Sequence, residues 1–192
     1  MPDPNPAALD FLLTRRSRPA KTLGLPVPDR DALVPLLTAA LRSPDHGKLE
    51  PWRLIVLERP ALVRLAEMVP TCPAAAGRPP EELAKQVSQY AMAHLAVAVV
   101  AVPRPSGKIP QIEQTLSAGA VCLQLLNAAL AAGWGANWLS GWASHDREFV
   151  TLGLGLAPEE WVAGLVHIGT ETAAPPERPR PDLDVAVSWM AT

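Results

Sequence analysis

Cysteine is nearly absent from this chain. Cys72 and Cys122 are the only two, in settings too unlike to form a metal or redox pair, so no disulfide framework is read and a reducing compartment fits. An excess of charge of one sign is lacking too: 17 basic residues against 19 acidic leave a net −2. The basic residues are scattered along the chain, which argues against a nucleic-acid surface. The opening stretch 1–6 has no basic region followed by an apolar run, so no signal peptide is read and a cytoplasmic protein is expected. No apolar run reaches the roughly 20 residues of a membrane span. The longest, 115–132, is interrupted by Gln124 and Asn127. Gly-x-Ser-x-Gly is missing, and no nucleophile–base pair or metal ligand set stands at a recognisable spacing. The glycines of 133–135 and 153–155 match neither a dinucleotide fingerprint nor a P-loop.

What is present is enough for one substantial core. At 192 residues and 48% hydrophobic, the chain is expected to form a single domain over 1–192. Its 22 prolines gather in loops and tails. One cluster marks an excursion over 70–80, and another, 175–181, stiffens a C-terminal arm over 173–192. A helix is expected over 7–16, with Leu12 and Leu13 inward and Arg15 and Arg16 in its last turn. Apolar spacing predicts another over 31–42, where Pro35 costs a hydrogen bond unless it falls in the first turn. Helices are also read over 60–68 and 80–93. The valine-rich run 95–102 predicts a central strand covered on both faces. The stretch 115–132, apolar almost all round, predicts a buried helix. Short strands are expected over 54–57, 136–139, 162–168 and 185–189. The sum is an α+β domain with a sheet of about four or five strands packed by helices.

Three segments carry chemistry. Arg15-Arg16-Ser17 offers two guanidinium forks and a hydroxyl that suit a phosphate, although a solvated helix end gives the same triplet. The loop Ser43-Pro44-Asp45-His46-Gly47-Lys48-Leu49-Glu50-Pro51-Trp52 stands between a helix and a strand. Asp45 after proline reads as a turn-capping residue, while His46 and Lys48 are free to be a ligand grip or an acid–base set. In Asn137-Trp138-Leu139-Ser140-Gly141-Trp142 the tryptophans could line a flat pocket beside Gly141, or fill the core. His145 and His167 read as ordinary surface or strand histidines, and Cys122 as a small core residue.

The order of these segments carries a resemblance. Arg15-Arg16-Ser17, then Arg42-Ser43-Pro44-Asp45-His46 closing on Pro51-Trp52, then Ile109-Pro110 with Glu113-Gln114 and Ser117-Ala118-Gly119-Ala120, then Gly133 and Trp138-Leu139-Ser140-Gly141, then Ile168-Gly169-Thr170, resembles the nitroreductase family, in particular its small YdjA-like branch. The likeness runs from about residue 8 to 187. It implies a mainly antiparallel sheet in a domain-crossed homodimer, with FMN at the subunit interface. Arg15, Arg16 and Ser17 match positions that hold phosphate and ribityl groups. His46 and Glu50 match loop positions that reach the flavin from the partner subunit, and Lys48, with Arg16 as the alternative, is a candidate cation for the reduced ring. Trp138, Leu139, Ser140, Gly141, Trp142 and Ala143 match the segment beside the isoalloxazine. Glu148, Phe149 and Val150 are looser matches to further flavin contacts, and Arg180 falls where a second phosphate-binding cation is common, with the choice between Arg178 and Arg180 for the phosphate left open.

The resemblance also implies a reaction. It is two-electron transfer from NAD(P)H, through FMN, to a small conjugated acceptor such as a nitroaromatic or quinone. The flavin would carry the chemistry, so no catalytic side chain is required. Dehydrogenation, oxidation or reductive dehalogenation of another metabolite stays open, as does non-catalytic FMN binding. Three positions depart from the pattern: Glu50 replaces the usual Gln before Pro-Trp, Leu139 replaces an arginine of the close branch, and His94 replaces a proline.

Overall fold

The computed structural model describes residues 3–191. Its helices are α1 (Pro6–Thr14), α2 (Arg30–Ala40), α3 (Arg59–Met68), α4 (Pro80–Ala91), α5 (Gln111–Ala131), α6 (Arg147–Leu154) and α7 (Leu183–Ala186). The strands are β1 (Leu23–Gly24), β2 (Trp52–Glu58), β3 (Leu95–Ala101), β4 (Gly135–Leu139) and β5 (Trp161–Glu171). They form one antiparallel sheet in the order β1-β5-β3-β2, to which β4 adds by pairing with β5.

β3 is buried at every position because the sheet is covered on both sides, as its unbroken apolar run predicts. Ala96, Ala98 and Val100 meet Leu62 and Leu65 of α3, Tyr90 of α4 and Phe149 of α6. Leu95, Val97 and Val99 meet Leu33 and Leu36 of α2 and Val121, Cys122 and Leu125 of α5. Alternation along one strand thus feeds two separate hydrophobic layers. The α+β architecture and the five-stranded sheet match the expectation from sequence.

Several local expectations need correction. α1 stops at Thr14, and Arg15 leaves it with ψ of 145°, so the two arginines follow the helix instead of forming its last turn. Leu12 and Leu13 are 56% and 71% exposed, because α1 joins neither hydrophobic layer. Pro35 sits in the second turn of α2, whose start is fixed by Asp29 Oδ1 accepting the Ala32 N–H at 2.9 Å. The carbonyl it frees belongs to exposed Asp31, where water can serve it. The strand over 54–57 is longer and less buried, since β2 is an edge strand with only Leu57 enclosed.

No strand forms over 185–189. Asp182 caps α7 there instead, and the segment has no strand to pair with among the described residues. The two-residue β1 had no readable signal. The 70–80 excursion is a pair of 3-10 turns, Val69–Thr71 and Pro73–Ala75, that bury Val69, Cys72 and Ala75 and are tied by the Ala74 N–H to Asp146 Oδ2 at 2.9 Å.

α5 is buried on one face only. Val121, Cys122 and Leu125 pack inward, while Ile112 and Leu116 are 61% and 65% exposed. Its length and hydropathy alone would suit a membrane-crossing helix, but it packs against the sheet and α2 as a core helix does.

Candidate functional site

Beyond α1 the chain is pinned to β4. The Arg18 N–H donates to the Ala136 carbonyl at 2.8 Å, Asn137 Nδ2 donates to the Arg18 carbonyl at 2.6 Å, and Arg18 Nε pairs with Glu171 at 2.9 Å. This anchoring holds Arg15 and Arg16 at a cleft of about 290 Å³, beside Phe11, Trp134 and Glu171. Arg15 Nη2 donates to Ser17 Oγ at 3.3 Å, and Arg16 Nη1 donates to the Ser17 carbonyl at 3.1 Å. The Nε atoms of both arginines are buried without a hydrogen-bond partner. The proline-rich arm returns to the same place. Burial, and then repulsion from Arg180 and Arg16, holds the Arg15 guanidinium below its ordinary range. Arg180 is paired with Glu177 at 2.7 Å. Two cations with orphaned donors, with a third close by, make a site that favours an anion.

The loop ahead of β2 is moored to the N-terminal half of α5. Trp52 Nε1 donates to Ser117 Oγ at 3.0 Å, and that hydroxyl donates to the Pro44 carbonyl at 2.7 Å. The Glu50 N–H donates to Asp45 Oδ2 at 2.7 Å, which bears out the capped-turn reading of Asp45. His46 Nδ1 lies 2.6 Å from Glu113 Oε2. Gly47, Lys48 and Glu50 adopt φ of 73°, 53° and 47°. Two non-glycine residues in the left-handed region within one short loop are costly, and such strain gathers at functional segments. His46, Lys48 and Glu50 are all solvent-facing in the single chain.

At the far end of β4 a second cleft, of about 310 Å³, forms where Ser140, Gly141 and Trp142 meet Lys85, Gln86 and Gln89 of α4. The Gln86 amide is buried and donates to Gln89 Oε1 at 3.2 Å, leaving Gln89 Nε2 enclosed without a partner. Gly141 lets the backbone approach the end of the Gln86 side chain, which a Cβ here would displace. The two tryptophans do not form one wall. Trp138 lies over Gly164 beside Cys122 on the α5 side of the sheet, whereas Trp142 packs on the opposite layer. The guanidinium of Arg78 sits 4.4 Å above the Trp142 ring.

A family model described as the nitroreductase family matches residues 14–170. The chain belongs to this family. An Escherichia coli K12 protein named "Putative NAD(P)H nitroreductase YdjA" is 32% identical over 163 residues, covering 85% of this chain and 87% of that protein. A Haemophilus influenzae protein named "Putative NAD(P)H nitroreductase" is 35% identical over 165 residues, covering 85% of this chain and 88% of that protein. Among solved structures, a nitroreductase-like family protein from Bacillus cereus superposes with a TM-score of 0.79 at 23% identity, covering all of both chains. A protein from Desulfovibrio desulfuricans solved in complex with FMN superposes with a TM-score of 0.74 at 18% identity, covering 98% and 99%.

Within this nitroreductase-family chain, the structure groups Arg15, Arg16, Ser17 and Arg180 at one end of β4 and Ser140, Gly141 and Trp142 at the other. Leu139 is half-buried at the end of β4, and Ala143 is enclosed. Phe149 and Val150 are core residues, with Phe149 packed on Tyr90 at 5.6 Å between ring centres, and Glu148 lines a separate surface hollow with Pro73 and Leu152. None of these three joins either cleft. Lys85, Gln86 and Gln89 were not readable as site residues, because on an amphipathic helix they look like ordinary solvated positions. Burial pushes the Tyr90 hydroxyl and the Cys122 thiol each up to about 12, so both stay protonated at neutral pH.

Proposed function

We propose that this protein is an FMN-dependent oxidoreductase that passes two electrons from NAD(P)H to a small conjugated acceptor such as a nitroaromatic or quinone, acting as a homodimer. The observation that carries the reading is the pair of buried, partnerless guanidinium Nε atoms of Arg15 and Arg16 beside Arg180. An anionic acceptor would serve them, and the enclosed amide donor of Gln89 lies at the other end of β4. The four residue steps of extended chain from Ala136 to Ser140 span about 13 Å between the two. A molecule with a phosphate at one end and a polar, planar ring at the other satisfies both.

FMN bound there would supply reversible two-electron chemistry. The chain's own residues bind and orient. Arg15, Arg16, Ser17 and Arg180 hold the phosphate end by charge-assisted hydrogen bonds. Gln86, Gln89, Lys85 and the backbone of Ser140 and Gly141 meet the ring end, where Lys85 is a better-placed cation than Lys48 to favour added negative charge. Arg78 over Trp142 leaves one indole face covered, so the case for turnover rests on the family and not on an open tryptophan wall. His46, Lys48 and Glu50, facing solvent in one chain, are proposed to reach the site of the second copy.

The test is an anaerobic spectrum of the purified protein loaded with FMN, before and after addition of NADH or NADPH. Bleaching of the yellow colour by either nucleotide is expected. A protein that takes up no FMN on titration, or whose flavin neither nucleotide reduces, overturns the reading.

A further inference from the structure

The contact between His46 and Glu113 is 2.6 Å and joins residues 67 apart in sequence. Glu113 lies in the first turn of α5, and His46 begins the strained loop. A carboxylate at neutral pH is an acceptor only, so a contact this short requires the proton to sit on Nδ1 of the imidazole. The ring cannot pivot freely about that bond. Pro44 is fixed two residues earlier by Ser117, and Gly47 lies against the Ile109 side chain, which leaves no room for a Cβ there unless Ile109 shifts. All three moorings, at Ile109, Glu113 and Ser117, belong to α5 or the residues just before it. Nδ1 is therefore spoken for, and Nε2 is the ring atom left to meet something outside the chain. His46 is 64% exposed by its side chain, so Nε2 has nothing else to serve in the single chain.

We propose that Glu113 is a positioning residue. By accepting the Nδ1 proton it fixes the tautomer and direction of His46, so that Nε2 presents an acceptor to a hydroxyl or imide N–H of the flavin held by the second copy. This rests on the FMN reading above for its ligand, but the tautomer itself is a property of the chain alone. The arrangement follows the general way in which a carboxylate behind an imidazole decides what the other nitrogen does. The ribityl hydroxyls and the imide edge are common to FMN and riboflavin, so Glu113 acts on both ligands alike, unlike the phosphate-binding arginines.

The experiment is nitrogen-15 NMR of the imidazole of His46 in the full-length protein at about pH 8.5, with and without FMN, alongside titrations with FMN and riboflavin. The wild type is expected to show the Nδ1–H tautomer. Glu113→Ala is expected to move it toward the Nε2–H tautomer that free imidazole side chains favour in water, and to weaken FMN and riboflavin by the same factor, roughly three- to tenfold. Glu113→Gln keeps an oxygen acceptor and is expected to retain both tautomer and affinity, which a purely charge-based role would not allow, while the tautomer readout in Glu113→Ala separates positioning from folding. An Nε2–H tautomer in the wild type, or an unmoved tautomer in Glu113→Ala, overturns the proposal. Loss of affinity for FMN alone overturns it too, since that would place His46 on the phosphate. Should the wild type bind no flavin at all, the functional reading fails, while the tautomer comparison still decides whether Glu113 sets His46.

Discussion

Single side chains divide here into those proposed to hold a ligand and those that are simply enclosed. Arg15 belongs to the first group, because its guanidinium is pressed by Arg180 and Arg16 and its Nε lacks a partner. Arg15→Ala is expected to weaken FMN by on the order of 2–4 kcal/mol and riboflavin by little, since only the phosphate contact is lost. Parallel titrations by flavin fluorescence check this, and equal weakening for both ligands would mean that Arg15 acts through folding. His167 belongs to the second group. It lies in β5 with both ring nitrogens enclosed and unpartnered, and burial pushes its pKa down to about 4. The unfolded chain, with an ordinary value near 6.5, binds the proton first as pH falls. Stability from neutral His167 is thus complete above about pH 6.5, is lost on going down toward pH 4, and totals on the order of 3 kcal/mol. His167→Leu should flatten this acid limb and leave stability at pH 7 equal or higher, as two orphaned polar atoms disappear. Urea unfolding of both proteins at pH 7 and pH 5 measures it; an unchanged pH dependence would show that other groups govern the acid limb. The triplet 15–17 and His46 stood out in the sequence through the family resemblance, since a solvated helix end gives the same triplet. Gln86 and Gln89 did not, because their meaning comes only from Gly141 approaching α4 without a Cβ.

At the level of elements, legibility follows how completely local pattern and burial agree. β3 is covered on both faces, so its continuous Leu, Ala and Val run admits one reading. β2 is an edge strand with one enclosed residue, and only the apolar middle of it stood out. The segment 185–189 shows the opposite failure. Its valines and tryptophan have strand propensity, but a strand needs a neighbour, and Asp182 offers the backbone a helical cap instead. α5 was read as buried all round from its composition, while its tertiary setting covers one face only. That same helix, through Glu113 and Ser117, holds the loop of His46, so one element serves both the core and the site. β4 does likewise, fixing the arginine cluster through Ala136 and Asn137 and ending at the second cleft.

For the whole molecule, the single chain leaves more apolar surface uncovered than its core pattern would suggest. Leu9, Leu12 and Leu13 on α1, Ile112, Leu116 and Leu123 on α5, and Trp189 and Met190 in the arm are all exposed. Large exposed apolar residues concentrated on particular helices mark association surfaces in soluble proteins. The same faces border the segments whose ligand-facing groups are proposed to act across two copies: α1 leads into Arg15 to Ser17, and α5 carries the Glu113 that holds His46. The wild type is therefore expected to be a homodimer with one FMN per chain, and Leu116→Glu to be a monomer. Each buried leucine contributes about 1.5–3 kcal/mol, and two-fold symmetry counts it twice, so losing it corresponds to a dissociation constant weakened by roughly a hundredfold or more even before the cost of a buried charge. Leu116 is 65% exposed in the single chain, which means the substitution leaves the fold of one copy intact. Light scattering with far-ultraviolet circular dichroism separates the two effects, and FMN titration of the variant completes the test. A folded monomer that has lost FMN is the expected outcome. A variant that stays dimeric removes this face of α5 from the interface, and a folded monomer that binds FMN as tightly as the wild type shows that one chain holds the whole site.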